Sequence, residues 1–271
     1  MIIMAEWSSG DIIANGIRLH YHRTGGDKPP LVLCHGFSDN ALCWTRVARD
    51  LEGAYDVIMV DARGHGQSEA PESGHDYATR AADLAAFIRA LGLRRPGAWG
   101  HSMGAATVAL AAADNPDLFS CVILEDPPWW DDQARVQRER AASREQRLAR
   151  VLEQRAMTRE TLIEQARQGN PKWHELELGP WAESKRQLSP HVVPADYIAE
   201  RPWREWVGRI ACPILLLTAE RGLVTPEVAA EATRLWQVGQ VARIPETGHC
   251  IHRDNYAATM EAMRAFLAGG G

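Results

Sequence analysis

The sequence predicts an α/β protein: a mostly parallel central sheet flanked by helices, with one inserted helical segment. Three observations carry this. Short, fully apolar runs alternate with helix-like stretches, and strands apolar along their whole length belong in a sheet covered on both faces. The alternation stops between Pro127 and about Gly208, where no strand-like run occurs. Between them lies Gly100-His101-Ser102-Met103-Gly104, which joins an apolar run ending Ala98-Trp99 to a small-residue run, Ala105 to Ala111. A serine between glycines at two-residue spacing, on a tight strand–turn–helix junction, is a nucleophile elbow.

The elements follow in order. Alternating runs around Asn15-Gly16 mark a hairpin with a type I′ turn. Leu31–Cys34 after Pro29-Pro30 is a buried strand. Leu42 to Leu51 has helical spacing, Val57–Val60 is a second buried strand, and Tyr77 to Leu91 places Leu84, Phe87, Ile88 and Leu91 on one helix face. Gly97-Ala98-Trp99 enters the elbow, and Ser120–Leu124 is the next strand. Pro213–Thr218 and Val241–Ile244 are strands, and Tyr256 to Leu267 is the last helix.

The chain has 271 residues, enough for one large α/β domain with an insertion. The sequence divides into a core of residues 1–126 and 209–271 and a helical cap of residues 127–208. The cap holds Trp129, Trp130, Trp173, Trp181, Trp203 and Trp206 among the chain's 10 tryptophans. From Arg135 to Arg155 seven arginines interleave with Glu139, Glu145 and Glu153, the pattern of a solvated helix.

Hydrophobic content of 45%, charged content of 24% and a net charge of −5 describe an ordinary soluble enzyme and argue against a nucleic-acid partner. The five cysteines, Cys34, Cys43, Cys121, Cys212 and Cys250, form no CxxC pair and read as reduced thiols of a cytoplasmic protein. Met1 to Glu6 has neither the basic region nor the apolar run of a signal peptide. The uncharged stretch from Pro96 to Ala113 carries a proline, three glycines, His101 and Ser102, so it reads as the strand and helix around the elbow and not as a membrane span. The glycines at 269–271 read as a disordered end.

An acyl-transfer serine needs a base, an orienting acid and oxyanion donors, and an open parallel sheet offers them where its strand ends converge. His35-Gly36-Phe37-Ser38 follows the Leu31–Cys34 strand, and Gly36 lets the chain turn so that the Phe37 N–H faces the same point as the Met103 N–H. His35 itself reads as structural. His249, in Thr247-Gly248-His249 after the Val241–Ile244 strand, is the candidate base, with His252 as competitor. The spacings His249/His252 and His20/His22 lack carboxylates at ligand distance, so no metal is expected.

Taken together, His35-Gly36-Phe37, Asp61-Ala62-Arg63-Gly64-His65-Gly66-Gln67-Ser68, Gly100-His101-Ser102-Met103-Gly104 and Gly248-His249 resemble the α/β-hydrolase fold family, in order and separation, over about residues 16–267. The resemblance implies a serine esterase- or lipase-like core with a helical cap, no cofactor, and a structural turn from Asp61 to Ser68. It places the acid in one of two positions. The commoner follows the Ile214–Thr218 strand, but Gly222 stands where that aspartate falls and Glu220 is off by a position. The other follows the preceding strand, at Asp126, with Glu125 adjacent and pointing oppositely. Asp126 is the assigned acid, with Glu125 and Glu220 as alternatives.

The function so implied is hydrolysis of carboxylic esters, thioesters or lactones of apolar or aromatic small molecules. Trp129, Trp130 and Trp181 are candidate pocket residues; packing the cap onto the core is the other role open to Trp129 and Trp130. Carbon–carbon bond hydrolysis or perhydrolysis on the same triad, and a slowly turning-over small-molecule receptor, are the alternatives. Dehalogenases and epoxide hydrolases that resemble the family use an aspartate where Ser102 stands.

Overall fold

The computed structural model describes residues 7–130, 132, 135–136, 139, 142–193 and 201–269. Met1 to Glu6, Gly270-Gly271 and, in the mixed-charge stretch, Arg138 and Arg140 lie outside the described residues.

Eight strands form one sheet: β1 (Ser8–Ala14), β2 (Ile17–Arg23), β3 (Pro30–Cys34), β4 (Asp56–Val60), β5 (Gly97–His101), β6 (Val122–Glu125), β7 (Ile214–Thr218) and β8 (Gly239–Arg243). Their spatial order is β1-β2-β4-β3-β5-β6-β7-β8. Pairing is antiparallel at β1/β2 and β2/β4 and parallel from β4 to β8. The hairpin turn forms as read, with Asn15 at φ 49 and Gly16 at φ 78, the two left-handed residues that a type I′ turn needs.

Alternate residues of the parallel strands feed the two faces. Val32, Ile58, Val122, Leu124 and Leu216 pack with Phe87, Ile88 and Val108 on one side; Leu31, Leu33, Met59, Ile123 and Leu217 pack with Met263 and Phe266 on the other. The first side is covered by α2 (Tyr77–Ala90) and α3 (Met103–Asp114), and the second by α1 (Thr45–Leu51) and the C-terminal helix Tyr256–Ala268. β8 departs from the buried-strand expectation: Val241 is 37% exposed, because β8 pairs only with β7 and forms the sheet edge.

Between β6 and β7 the described residues contain no strand. The segment supplies α4 (Arg144–Ala156), α5 (Arg159–Gly169) and α6 (Glu175–Gln187), and α6 opens with a capping box in which His174 and Glu177 bond each other's backbone. Exposed Arg135 and Glu139 pair at 2.8 Å, one turn apart. Val151, Leu188, Val192 and Val193 form a small apolar cluster on which Phe37 packs, so the inserted segment lies over the turn after β3. The ends of the segment behave differently. Trp129, Trp203, Trp206 and Val207 join the main core beside α3, with Trp129 stacked on Trp203 at 5.3 Å. No helix among the described residues is long and apolar enough to cross a membrane.

Candidate active site

The elbow owes its shape to its glycines. A Cβ at Gly100 would enter the Gly104 carbonyl, and one at Gly104 would enter the Cys34 carbonyl of the neighbouring strand. With both absent, α3 begins directly after Ser102, which is held at φ 52 and ψ −113. That left-handed backbone costs on the order of 1–3 kcal/mol and is tolerated where the surroundings over-determine it. Here the Ser102 N–H donates to the Glu125 carbonyl of β6 at 2.8 Å, and the helix locks the other side.

Ser102 Oγ lies 2.8 Å from His249 Nε2, and His249 Nδ1 lies 2.6 Å from Asp126 Oδ2. The fully buried Asp126 carboxylate accepts from His249 Nδ1, which leaves Nε2 with a lone pair facing the serine hydroxyl. Asp126 sits at φ 43, one strand along from the elbow. Its carboxylate also accepts from the Leu223 N–H at 2.9 Å and the Val224 N–H at 3.0 Å. These donors belong to the loop after β7, where the commoner acid position falls. Gly222 explains the exchange, because a Cβ there would stand 2.5 Å from Asp126 Oδ1. Glycine at 222 makes the room that Asp126 fills. Glu220 is exposed. Gly222→Ala is therefore expected to push the Asp126 carboxylate off His249 and lower kcat by about a hundredfold, with the fold kept; steady-state kinetics beside a thermal melt check this.

Glu125 points the other way, as the strand alternation requires. It accepts from His252 Nδ1 at 2.8 Å and from the Trp99 indole at 3.1 Å, all three side chains buried. His252 is stacked on Trp44 at 4.5 Å. The second histidine–carboxylate pair is thus part of the core between sheet and C-terminal helix. Burial opposes charge on Glu125, but His252 beside it holds the carboxyl well below its ordinary range.

The Phe37 N–H has no hydrogen-bond acceptor among the described residues. The Met103 N–H heads α3, where no intrahelical acceptor exists. Gly36 to Asp39 form a reverse turn closed by Asp39 N–H to Gly36 carbonyl at 3.1 Å, with Ser38 at φ 68. His35 is structural: Nδ1 donates to the Gly36 carbonyl at 2.8 Å and Nε2 accepts from the Ala62 N–H at 3.1 Å. The Asp61 to Ser68 turn is also scaffolding, its Asp61 carboxylate accepting from the Ala41 and Gln67 N–H groups and its Arg63 paired with Asp83 at 2.5 Å.

A chain matching the alpha/beta hydrolase fold model over residues 29–256 carries this architecture through most of its length. The protein belongs to the alpha/beta hydrolase fold family. As a member it is a hydrolytic enzyme. It is 31% identical over 264 residues, 96% of each chain, to N-formylmaleamate deformylase of Pseudomonas putida. Among solved structures, an N-formylmaleamic acid deformylase from Pseudomonas putida S16 superposes with a TM-score of 0.76 at 26% identity, covering 94% of this chain and all of that one. An E-2-(acetamidomethylene)succinate hydrolase superposes at 0.81 with 23% identity, covering 97% and 100%, a likeness of fold.

This chain carries side chains around its elbow whose roles are not legible in the sequence. His101 is buried, 4.8 Å from the His249 ring, and burial pushes its pKa down to about 3, so it is neutral. Its Nε2–H donates to the His249 carbonyl at 3.0 Å, which fixes the backbone carrying the imidazole. Asp39, Lys185 and Arg253 form a buried ion cluster beside the Phe37 turn. Burial works against the Asp39 charge, but Arg253 and Lys185 outweigh it and hold the carboxyl far below its ordinary 3.8. A carboxyl whose folded pKa is depressed stabilises the fold above its unfolded pKa and loses that contribution as the pH falls towards the folded one. Acid melts are thus expected to lose stability below about pH 4, with a shallower decline in Asp39→Asn.

The tryptophans named for a pocket fall differently. Trp129 is 1% exposed and stacked in the core, which gives it the packing role. Trp130 is half-buried, its carbonyl accepting from the Trp203 indole at 3.2 Å. Trp181 is half-buried and faces the Lys185 ammonium at 4.6 Å.

Proposed function

We propose that this hydrolase cleaves a carboxylic acyl bond through an acyl-enzyme on Ser102. The observation that carries the reading is the unbroken hydrogen-bonded chain from Ser102 through His249 to Asp126. His249 Nε2 takes the hydroxyl proton as Ser102 Oγ attacks the acyl carbon, and Asp126 holds the imidazole in the tautomer that can accept it and stabilises the imidazolium. The developing oxyanion is received by the Phe37 and Met103 N–H groups, each worth about 3 kcal/mol in such sites. His249 returns its proton to the leaving oxygen or nitrogen. It then takes a proton from water as the oxygen attacks the acyl carbon, and gives that proton to Ser102 Oγ as the acyl–oxygen bond breaks and the free acid leaves.

The substrate is a small molecule bearing an ester, thioester or lactone, or an N-acyl amide. The amide is favoured by the whole-length relative named as an N-formylmaleamate deformylase. The same geometry serves both, because the imidazolium can hand its proton to a leaving oxygen or to a leaving nitrogen. The inserted segment acts as the cap, since its apolar cluster packs on Phe37. Five free thiols favour a cytoplasmic location. The test is to offer purified protein a series of p-nitrophenyl esters beside N-formyl and N-acetyl amides and to identify both products. Release of the free acid with the matching alcohol or amine supports the reading. Turnover confined to carbon–carbon cleavage, or binding without turnover, would refute it.

A further inference from the structure

The turn that presents the Phe37 N–H is strained. Ser38 occupies φ 68, a left-handed conformation that glycine adopts freely and serine does not. The Asp39 N–H to Gly36 carbonyl bond closes the turn, and a neighbour outside it bonds the strained residue in that form. The neighbour is Lys185, near the end of α6 in the inserted segment. Its ammonium donates to the Ser38 carbonyl at 2.8 Å, to Ser38 Oγ at 2.9 Å and to Asp39 Oδ1 at 3.0 Å. The side chain is 3% exposed, so water offers these groups no substitute.

Lys185 is itself fixed from several sides. The Trp181 ring faces its ammonium, and Ser184 Oγ lies at 3.4 Å. Asp39 Oδ2 accepts from Arg253 at 2.8 Å, and the Arg253 guanidinium lies 4.7 Å from the centre of the Trp173 ring. The Trp173 indole donates to Asp254 Oδ1 at 3.0 Å, while Asp254 Oδ2 accepts from the Gly248 N–H at 2.7 Å. One cluster, buried at Lys185, Asp39 and Arg253 and half-buried at Trp173 and Asp254, therefore joins the inserted segment to the Phe37 turn and to the loop carrying His249.

We propose that Lys185 is a positioning residue for the reaction: by bonding Ser38 and Asp39 it holds the left-handed turn that aims the Phe37 N–H at the oxyanion. The inference rests on the acyl-enzyme reading above. It makes the inserted segment part of the reaction's geometry, because a donor that stabilises the transition state is held in place from that segment.

The experiment compares wild type, Lys185→Met and Lys185→Met/Ser38→Gly. The substrate is whichever p-nitrophenyl ester the protein turns over. Two inhibitors are used, an alkyl trifluoromethyl ketone and the corresponding trifluoromethyl alcohol. Ser102 Oγ adds to the ketone, its proton passes to His249, and the former carbonyl oxygen becomes an oxyanion that needs the Phe37 donor; the alcohol forms no such adduct. Lys185→Met is expected to lower kcat by about tenfold to a hundredfold while KM stays within about threefold. Ketone affinity falls by the same factor as kcat, and alcohol affinity does not change. Adding Ser38→Gly recovers most of the lost kcat, because glycine holds φ 68 unaided.

An unchanged kcat in folded Lys185→Met, equal weakening of both inhibitors, or no recovery with Ser38→Gly would overturn the proposal. Should Lys185→Met not fold, Lys185→Gln carries the same measurements; if that too fails to fold, Lys185 is a stability residue and the proposal falls. Ser102→Ala is run alongside. If it is active, the acyl-enzyme reading fails; if it is inactive while Lys185→Met is fully active, only the present inference does.

Discussion

Ser102→Ala is expected to lower kcat by on the order of 10⁴- to 10⁶-fold, the range seen when a triad nucleophile is removed. The hydroxyl is the only part of the side chain in the reaction path, and it faces His249 Nε2 at 2.8 Å. Losing one oxygen leaves the glycine contacts, the Ser102 N–H to Glu125 bond and the start of α3 untouched. Alanine meets the same left-handed strain as serine, so the melting temperature should stay close to wild type. Retention of more than a tenth of the wild-type rate would remove Ser102 from the mechanism.

Asp126→Asn is expected to cost about 10³- to 10⁴-fold in kcat. The reason lies in what surrounds the carboxylate. Leu223 and Val224 present N–H donors, so an asparagine turns its carbonyl oxygen to them and its amide to His249. An amide donates to Nδ1, the imidazole then carries its proton on Nε2, and Nε2 can no longer accept from Ser102. Glu220→Gln, at an exposed position, should leave activity in place. Glu125→Gln should lower the melting temperature more than kcat, since it weakens the buried contacts to His252 and Trp99. The reverse ranking of the Asp126 and Glu220 variants would overturn the assignment of the acid.

The legible parts of the fold were those with a local cause. The elbow declares itself because two glycines are demanded by backbone contacts that no side chain could share. The hairpin follows from Asn15-Gly16, and the central strands from their unbroken apolar runs. Asp126 was reachable because a glycine stood at the rival position; the structure adds that Gly222 and Asp126 occupy one space, so the two residues are a single choice.

What stayed hidden has its cause in distant pairing. Lys185 and Arg253 look like ordinary surface cations on helices, and nothing local announces that both end on Asp39. His252 and Glu125 are each an alternative to a triad member, and only the sheet register shows that they bond each other in the core. His101 sits inside the elbow pentapeptide, yet its bond to the His249 carbonyl depends on how the last loop folds back over β5. Of the clustered tryptophans, Trp129 packs with Trp203 and Trp206 in the core, the packing role that the sequence leaves open for it beside the pocket role.

The claim on which the rest depends is that the acyl group passes through Ser102. It is tested by mixing the protein with excess of an activated ester, quenching in acid during the first turnover, and measuring the mass of the intact chain and of its peptides. A single acyl increment is expected on the peptide holding Gly100 to Gly104, absent in Ser102→Ala and formed far more slowly in His249→Ala, which lacks the base for acylation. An increment on any other residue, or first-turnover product release with no adduct at all, would contradict it.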